Sequence, residues 1–490
     1  MRDRLLFYAL LFVSHVPSCG ALQADNVESF LRTQMSKRHI VGLQVAVVQH
    51  GKVVLHRACG IASIQDSAPA TDHTIFPINS ITKAFTGVAI MQLVEAGRLD
   101  LGAPVSRYLD GLPVPWQGVT IRQLLTHESG LPNIMEGNEK MVQEGDEDSA
   151  WAKVQTLPLE FEPGARFSYN QTNYVLLGRI IDRLGGEPFA QFIDEHQFRV
   201  VGMPHTVFGD SRDVVAHSAR DYTYFRKTSG ATRRGDTLRN VFEEFPPFLR
   251  TAAGLNSTAE DLARWIIALQ GGKLLKAKSS LATLWTAGVL NDGTNGGFSK
   301  LLNGYALGWE TANRPEHRAL TAIGGGRSAL FVYPEDDLAI VILTNLQGSS
   351  PESFIDEVAS YWIPDMSPSA GFGLPAAIKA MQAVLRTRGF EHAAEVIREE
   401  KAKDSAFRLP EGDVNAWGYR LVEDGHIRDA IEIFKLNAEM YPSSGNTYDS
   451  LAAAYESAGD KTLAIQNYRR SLDLDPKNAH AVERLKALDH

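Results

Sequence analysis

A serine and a lysine three positions apart are the residues in this sequence best suited to nucleophilic chemistry. Ser80 opens the run Ser80-Ile-Thr-Lys83, and the residues from Ile81 to Leu93 are apolar nearly all round. This pattern predicts a buried helix that ends near Gly97 and carries Ser80 at its N-terminus. Because a spacing of three places two side chains on one helical face, we expect Lys83 one turn from Ser80.

This pair has the chemistry of an activated serine. A serine hydroxyl is a weak nucleophile and needs a base within hydrogen-bonding distance. Burial and the positive end of the helix dipole both lower the pKa of a lysine, which suits Lys83 to that task. An isolated Ser-x-x-Lys match arises about once by chance in a chain of this length, as a capping serine and a surface lysine. The surrounding sequence is therefore needed to distinguish a catalytic serine–lysine pair from a chance match.

Three further segments follow Ser80 in an informative order: 124–132 (LLTHESGLP), 162–174 (EPGARFSYNQTNY) and 253–263 (AGLNSTAEDLA). Together with residues 75–83 they resemble the class C β-lactamases and the DD-peptidases, which are penicillin-binding proteins. The resemblance covers roughly residues 25–362. It implies an acyl-enzyme mechanism in a cleft between an all-helical part and an α/β part.

The resemblance also implies roles for two residues of the second segment. Tyr169 matches the tyrosine of the family's Tyr-x-Asn motif, which takes the proton from the serine and later protonates the leaving group. The family's asparagine falls on Gln171, which is one methylene longer, so we expect it to hold Lys83 or the substrate amide at altered reach. Asn170 and Asn173 are the alternatives for that role.

The downstream strand departs further from the family, which has a Lys- or His-x-Gly motif there. Ala322 stands at the basic position and Gly324 at the glycine, where the backbone has to approach the substrate. The resemblance implies that the N–H groups of Gly325 and Ser80 form the oxyanion hole. Because the basic side chain is missing, we hypothesise that Arg327 partly replaces it or that the substrate is neutral. Arg327 is alternatively a surface residue after a glycine turn.

Other motifs and the composition exclude several classes of function. We expect His127 to be a buried hydrogen-bonding residue and not a catalytic one. No zinc, phosphate-loop or dinucleotide motif occurs, so no metal or nucleotide cofactor is implied. With a net charge of -9 and no dense Lys/Arg stripe, the chain lacks the charge pattern of a nucleic-acid binder.

The elements that position these residues form an α+β pattern. β-Branched residues and a central glycine predict a hairpin of strands 42–50 and 53–60, and a second hairpin has strands 328–333 and 338–344 around the turn 334–337. Helices are expected between them, including 261–269, which begins after the capping-box pattern 257–260. A short helix over 26–35 precedes the first hairpin. We therefore predict a β-lactamase/transpeptidase-like domain whose antiparallel sheet is closed by distant segments and is flanked by helices.

The two ends of the chain predict export and a helical repeat. Residues 1–24 have the basic start, short apolar run and small residues of a signal peptide, although Cys19 is an alternative site of lipid attachment. The protein is then periplasmic or secreted, and meets a membrane only if Cys19 is lipidated. After a Pro/Gly-rich linker, 363–376, four residue types recur after 34 positions: Gly425, Ala430, Phe434 and Pro442, then Gly459, Ala464, Tyr468 and Pro476.

This period resembles the tetratricopeptide repeat, so residues 377–490 are predicted to be an all-helical domain of that type. A generic helical bundle is the alternative. The repeats either bind a protein or peptide partner or pack against the domain 25–362. The sequence as a whole predicts a serine hydrolase that acts through an acyl-enzyme on a small ester, amide or peptide. A true DD-peptidase or β-lactamase is less favoured because of Ala322. The rival from another class is a catalytically weak or inactive binding or scaffold protein.

Overall fold

The computed structural model describes residues 19–136, 140–143, 146–228 and 231–488. The chain divides into two units, one that ends at Val358 and one that begins at Ala359. The predicted signal peptide lies outside the described residues as far as position 18. Among the helices described, none is long and apolar enough to cross a membrane.

All of the described strands belong to the first unit. In chain order they are β1 Gly42–Gln49, β2 Lys52–Ser63, β3 Ala68–Pro69, β4 Phe76–Pro77, β5 Met135–Glu136, β6 Lys140–Met141, β7 Val207–Phe208, β8 Tyr222–Thr228, β9 Ala231–Asn240, β10 Leu255–Ser257, β11 Gly304–Tyr305, β12 Glu310–Ala312, β13 Ala319–Gly324, β14 Ser328–Tyr333, β15 Leu338–Thr344 and β16 Leu346–Gln347.

Eight of these strands form one antiparallel sheet, in the order β11-β12-β13-β14-β15-β1-β2-β3. The two predicted hairpins lie side by side in it because β1 pairs with β15, with Leu43 opposite Thr344. Both strands are apolar and almost wholly buried, which requires cover on both faces of the sheet. The predicted α+β fold with a sheet closed by distant segments is confirmed.

Helices cover this sheet and form the helical part of the first unit. They are α1 Cys19–Arg38, α2 Thr82–Glu95, α3 Ile121–Leu125, α4 Glu147–Gln155, α5 Gln171–Gly185, α6 Phe189–Ile193, α7 Arg199–Val201, α8 Ala259–Gln270, α9 Lys278–Leu284 and α10 Ile355–Ala359. Helix α8 packs on β1 and β15, whereas α2 packs against α5 and α9. Because α2 is apolar on every side, it is buried from Thr82 to Met91 and forms the centre of the core.

Two local predictions differ from the structure. The first helix is longer than the predicted 26–35, since it runs from Cys19 to Arg38. The cap of α8 is Thr258, whose hydroxyl accepts a hydrogen bond from the N–H of Asp261 at 3.1 Å. Ser257 was the expected cap, but it ends strand β10 and its hydroxyl bonds to Thr206 at 2.7 Å. Tertiary pairing of β10 therefore moves the cap by one residue, and the helix begins at Ala259, two residues before the predicted start at Asp261.

The second unit consists of helices among the residues described. They are α11 Ala376–Arg388, α12 Ala393–Lys403, α13 Glu411–Glu423, α14 Ile427–Met440, α15 Gly445–Ser457, α16 Lys461–Leu474 and α17 Ala479–Leu488. Gly425 and Gly459 both take left-handed conformations, with φ of 81° and 80°, between paired helices. The predicted all-helical region is confirmed, and its assignment to tetratricopeptide repeats stays a prediction. The segment 363–376 holds two short 3-10 turns, Pro364–Met366 and Pro368–Ala370.

Candidate active site

Ser80 lies in a 3-10 turn, Asn79–Ile81, that leads directly into α2. Its side chain is partly exposed and lines a cavity of about 760 Å³. The preceding residue, Asn79, has a φ of 43°, which few residues with a side chain adopt. Such strain is typical of functional sites, where the surrounding structure fixes a reactive group in place.

Lys83 lies one turn beyond Ser80, and its side chain is only 1% exposed. Its Nζ donates to the carbonyl oxygen of Ala252 at 2.9 Å and lies 3.4 Å from Ser80 Oγ. Burial lowers the pKa of Lys83 to about 7, although the nearby carboxyl group of Glu310 opposes this shift. A large fraction of the amine is therefore uncharged near neutral pH and has a lone pair available for the serine proton.

Tyr169 approaches Ser80 from the loop that precedes α5. Its hydroxyl donates to Ser80 Oγ at 2.9 Å, and Lys83 Nζ lies 4.6 Å from the centre of its ring. Burial raises the pKa of Tyr169 above its usual range, although the hydrogen bond to Ser80 acts in the opposite direction. The phenol is therefore neutral and acts as a donor in this state. The raised pKa of Tyr169 makes its phenolate unfavourable, which favours Lys83 as the base that takes the serine proton. The predicted role of Tyr169 as that base stays a prediction.

Glu310 is a buried carboxyl group of the site that the sequence analysis did not single out. It begins strand β12, lines the cavity and is 6% exposed. Burial raises the pKa of Glu310 to about 8, against the opposite effect of Lys83. Thr321 on the neighbouring strand donates to its Oε2 at 3.3 Å. Its signal in the sequence is an acidic residue directly after the apolar run that ends at Trp309.

Gln171 lies at the cavity, but its two alternatives do not. Its side chain hydrogen-bonds to Tyr169, whereas the hydrogen bonds described for Lys83 Nζ go to Ser80 and Ala252. Asn170 caps helix α5 and donates to the carbonyl oxygen of Leu131 at 2.5 Å.

Asn173 is equally structural, because it accepts a hydrogen bond from Ser129 at 2.6 Å in the core. His127 is fully buried and its Nδ1 accepts the N–H of Asn170 at 3.1 Å. Burial, followed by the nearby Lys83 charge, holds the pKa of His127 well below its usual range. Its ring lies 4.4 Å from that of Tyr169, so it supports the tyrosine and does not contact Ser80 in this structure.

The glycines of β13 bring this strand against the turn that holds the nucleophile. A Cβ atom at Gly324 would lie 2.0 Å from the carbonyl oxygen of Ile78, a distance at which atoms overlap. Gly325 has a φ of 58° and lines the same cavity as Ser80. The contact therefore requires glycine at position 324, and it places the two N–H groups of the predicted oxyanion hole on neighbouring segments.

The position predicted for the family's basic residue does not face the cavity. Ala322 is 2% exposed and belongs to the hydrophobic core, whereas the next residue, Ile323, lines the cavity. Successive side chains of a strand point to opposite faces, so only one of these two can face the substrate. The wall opposite Ser80 is therefore apolar at this point.

Arg327 is neither a surface residue nor a free cation in the cavity. It is fully buried and forms ion pairs with Glu243 and, at 3.2 Å, with Asp221. Burial raises the pKa of Asp221 to about 6 despite the adjacent guanidinium. Asn79 Nδ2 donates to the same Glu243 carboxylate at 3.0 Å, so the cluster is connected to the turn of the nucleophile. The structure gives Arg327 two acidic partners and leaves no exposed guanidinium for a substrate carboxylate.

The fold and the site together define the class of protein. A serine at the start of a buried helix, with a lysine one turn on and a tyrosine opposite, beside an antiparallel sheet, is the arrangement that the sequence resemblance implied. A family model described as Beta-lactamase matches residues 27–359. This match covers more than half of the chain, so the chain belongs to the β-lactamase family and the predicted family is confirmed.

Individual relatives agree with this assignment. Protein flp of Staphylococcus aureus strain MW2 is 27% identical over 345 residues, which are 68% of this chain and 65% of that protein. The chain thus spans slightly less than two thirds of that relative. Penicillin-binding protein 4* of Bacillus subtilis strain 168 is 28% identical over 64% of this chain and 69% of its own length.

Solved structures agree with the fold as well. The octameric penicillin-binding protein homologue from Pyrococcus abyssi has a TM-score of 0.59 and 25% identity. The superposition covers 73% of this chain and 81% of that one.

Proposed function

We propose that the first unit is a serine hydrolase that cleaves an ester or amide through an acyl-enzyme formed on Ser80. One observation carries this proposal: Lys83 and Tyr169 both reach Ser80 Oγ, at 3.4 and 2.9 Å, inside a cavity. A base and a second proton-transfer group within reach of one hydroxyl are what an activated serine needs. Membership of the β-lactamase family supports the same reaction.

In the acylation step, Ser80 Oγ forms a bond to the substrate carbonyl carbon while its proton passes to the uncharged amine of Lys83. The carbonyl oxygen gains the negative charge and is held by the N–H groups of Ser80 and Gly325. When the intermediate collapses, the bond to the leaving group breaks. The leaving group takes the proton of the Tyr169 hydroxyl, which is refilled from the Lys83 ammonium.

In the deacylation step, the same groups act on water. Water adds to the acyl carbon and gives up one proton to Lys83, and the bond to Ser80 Oγ then breaks. Tyr169 gives its proton to the serine oxygen and takes one from the Lys83 ammonium, so the enzyme is restored and the acid is released. Each proton taken from a nucleophile is thus delivered to a leaving oxygen or nitrogen.

Mass spectrometry of the intact protein tests the reaction. We expect a fluorophosphonate to add one adduct to the full chain and none to Ser80→Ala, with Ser106→Ala as a matched control that keeps the adduct. A penicillin is tested in parallel because the relative from Bacillus subtilis is named for penicillin binding. Absence of an adduct with both probes would favour a binding or scaffold protein instead.

We also propose that the protein is exported, as a periplasmic or secreted protein. The basic start, apolar run and small residues of positions 1–24 support this, and Cys19 offers a site for a lipid. The mass of the mature N-terminal peptide from the native host distinguishes the two cases. Cleavage after Ala21 or Ala24 indicates a free protein, cleavage before a modified Cys19 a lipoprotein, and an intact Met1 contradicts export.

We propose further that the helices after residue 376 are tetratricopeptide-like repeats and bind a protein or peptide. The 34-residue spacing supports this, together with the burial of Ala430 and Ala464 at equivalent positions. If the positions are equivalent, Ala430→Leu and Ala464→Leu should each raise amide hydrogen exchange in their own helix pair. Selection of displayed peptides against the full chain, repeated with each variant, tests the partner.

A further inference from the structure

The cavity around Ser80 has an acidic wall. Four carboxyl groups line it, those of Glu243, Glu244, Glu310 and Glu352. Among the side chains that the structure describes, no lysine, arginine or histidine lines it. A negatively charged substrate would meet the carboxylates of Glu243 and Glu244, and a positively charged one would be attracted.

The buried charged cluster beside Asn79 is negative overall. Arg327 brings one positive charge to Asp221 and Glu243, which bring two negative charges. One negative charge therefore remains in a cluster that is hydrogen-bonded to Asn79, the residue before Ser80. Arg327 is fully buried and paired with both carboxylates, so its positive charge is neutralised within the cluster.

A buried acceptor without a partner gives a second, independent indication. A carboxylate only accepts hydrogen bonds, so the bond to Glu243 fixes the NH₂ group of Asn79 on that side. Its Oδ1 is then left as an acceptor with no hydrogen bond, although Asn79 is only 6% exposed and lines the cavity. Glu352 Oε2, also at the cavity, is buried and unpaired in the same way.

The unpaired Oδ1 of Asn79 calls for a hydrogen-bond donor from the ligand, because a buried acceptor left unpaired is costly. A primary ammonium group supplies three N–H donors and no acceptor, together with the positive charge that the wall attracts. A carboxylate supplies neither. Most other lining residues are apolar or aromatic, apart from Gln171 and Gln347, and Phe242 and Phe298 are 68% and 47% exposed there. Aromatic faces accept both apolar groups and cations.

We propose that the cavity selects an ester or amide that carries a protonated amine beside an apolar or aromatic group, and that it disfavours carboxylates. This inference rests on the proposed hydrolase function and specifies its substrate class. The orphan acceptor of Asn79 and the Glu243 carboxylate bind the ammonium group next to Ser80. The apolar side chains hold the remainder of the substrate.

Protection of Ser80 from fluorophosphonate labelling measures this preference with three ligands of similar size: phenylbutylamine, phenylbutanol and phenylbutyrate. We expect the amine to protect at a concentration at least about tenfold lower than the acid, with the alcohol between them. The advantage of the amine should shrink as salt is added, since it is partly electrostatic.

Two variants locate the effect. Glu243→Gln removes the charge beside Asn79 and should reduce the preference for the amine. Because it also removes one partner of the buried Arg327, its thermal unfolding is measured first. Glu244→Gln is the second variant, since its carboxylate pairs with Arg212 at the surface and is not needed to neutralise a buried charge. Glu335→Gln, an exposed ion-paired glutamate away from the cavity, should leave the preference unchanged.

Failure of the two proposals is distinguishable. If neither the fluorophosphonate nor the penicillin labels the protein, the hydrolase proposal fails, and binding is then measured by calorimetry with full-length Ser80→Ala, which needs no reaction. Equal binding of the amine and the acid in either assay, or tighter binding of the acid, overturns the inference. An amine preference that survives both Glu243→Gln and Glu244→Gln also overturns it, because the charges would then play no part.

Discussion

The hydroxyl of Tyr169 lies 2.9 Å from Ser80 Oγ, although 89 positions separate the two residues in the chain. The tyrosine donates this hydrogen bond, because burial keeps its pKa above the usual range and its hydroxyl protonated. The amine of Lys83 lies 3.4 Å from the same Ser80 Oγ, and burial lowers its pKa. In the proposed mechanism these two contacts have different roles: Lys83 accepts the first proton, and Tyr169 delivers one to the leaving group.

Replacement of Lys83 by methionine should lower kcat by about 10²–10⁴-fold and change KM little, since a general base acts in the transition state. Steady-state kinetics on a neutral ester measures this. Lys153→Met, at an exposed position of α4, is the matched control and should retain full activity. If the kcat of Lys83→Met stays within about threefold of the wild-type value, another group is the base.

The pH dependence of kcat/KM should show an acid limb with a midpoint near pH 7. Lys83 has to lose its proton to act as the base, and burial lowers its pKa to about 7. The rate therefore rises with pH through this value and then levels off. A pH series on a neutral ester checks this, with Tyr169→Phe expected to be slower but to keep the midpoint. A midpoint near pH 10 would show that Lys83 is not the titrating base.

Glu310→Gln should shift the same acid limb to lower pH. The Glu310 carboxylate stabilises the Lys83 ammonium and so raises its pKa, and its removal leaves burial to act alone. The comparison of pH–rate profiles measures the shift. Glu335→Gln serves as the control because its exposed carboxylate pairs with Arg318. A shift to higher pH would contradict the assigned coupling between Glu310 and Lys83.

Gly324→Ala should reduce kcat/KM by about 100-fold, because the new methyl group overlaps the carbonyl oxygen of Ile78 and forces β13 away from the turn of Ser80. Gly118→Ala is the control, since its Cβ would meet no atom within 4 Å. Kinetics and a crystal structure of the variant distinguish a moved strand from a general loss of stability. Unchanged kinetics in Gly324→Ala would mean that the close approach is not required.

Arg327→Met should lower the free energy of unfolding by about 3–5 kcal/mol, because Asp221 and Glu243 then keep buried charges without their partner. Urea denaturation measures this loss. Arg318→Met removes an exposed ion pair and should cost about 0–1 kcal/mol. If Arg327→Met remains as stable as the wild type but selectively loses activity toward anionic esters, the sequence-based hypothesis of carboxylate recognition by Arg327 holds instead.

Local patterns were sufficient for the downstream hairpin and for the relative position of Ser80 and Lys83. The two apolar runs 328–333 and 338–344 around the turn 334–337 give the hairpin with the bounds that the structure shows, since strand composition and turn residues are properties of neighbouring positions. The apolar run after Ser80 likewise predicts a buried helix with Lys83 one turn along. The cap at Thr258 was missed by one residue because pairing of β10 with β4 and β7 decides where the helix begins.

The sequence by itself determined the family and the order of the elements, because four characteristic segments follow one another along the chain. It also determined the serine–lysine pair, because that spacing lies within one segment. Only the tertiary structure decided the surroundings of that pair. It turned Ile323 and not Ala322 toward the cavity, buried Arg327 between two carboxylates, and brought Glu243 and Glu310 to the site. These outcomes depend on which distant segments share a low-dielectric interior, and burial sets both the pKa values and the charge that a substrate meets.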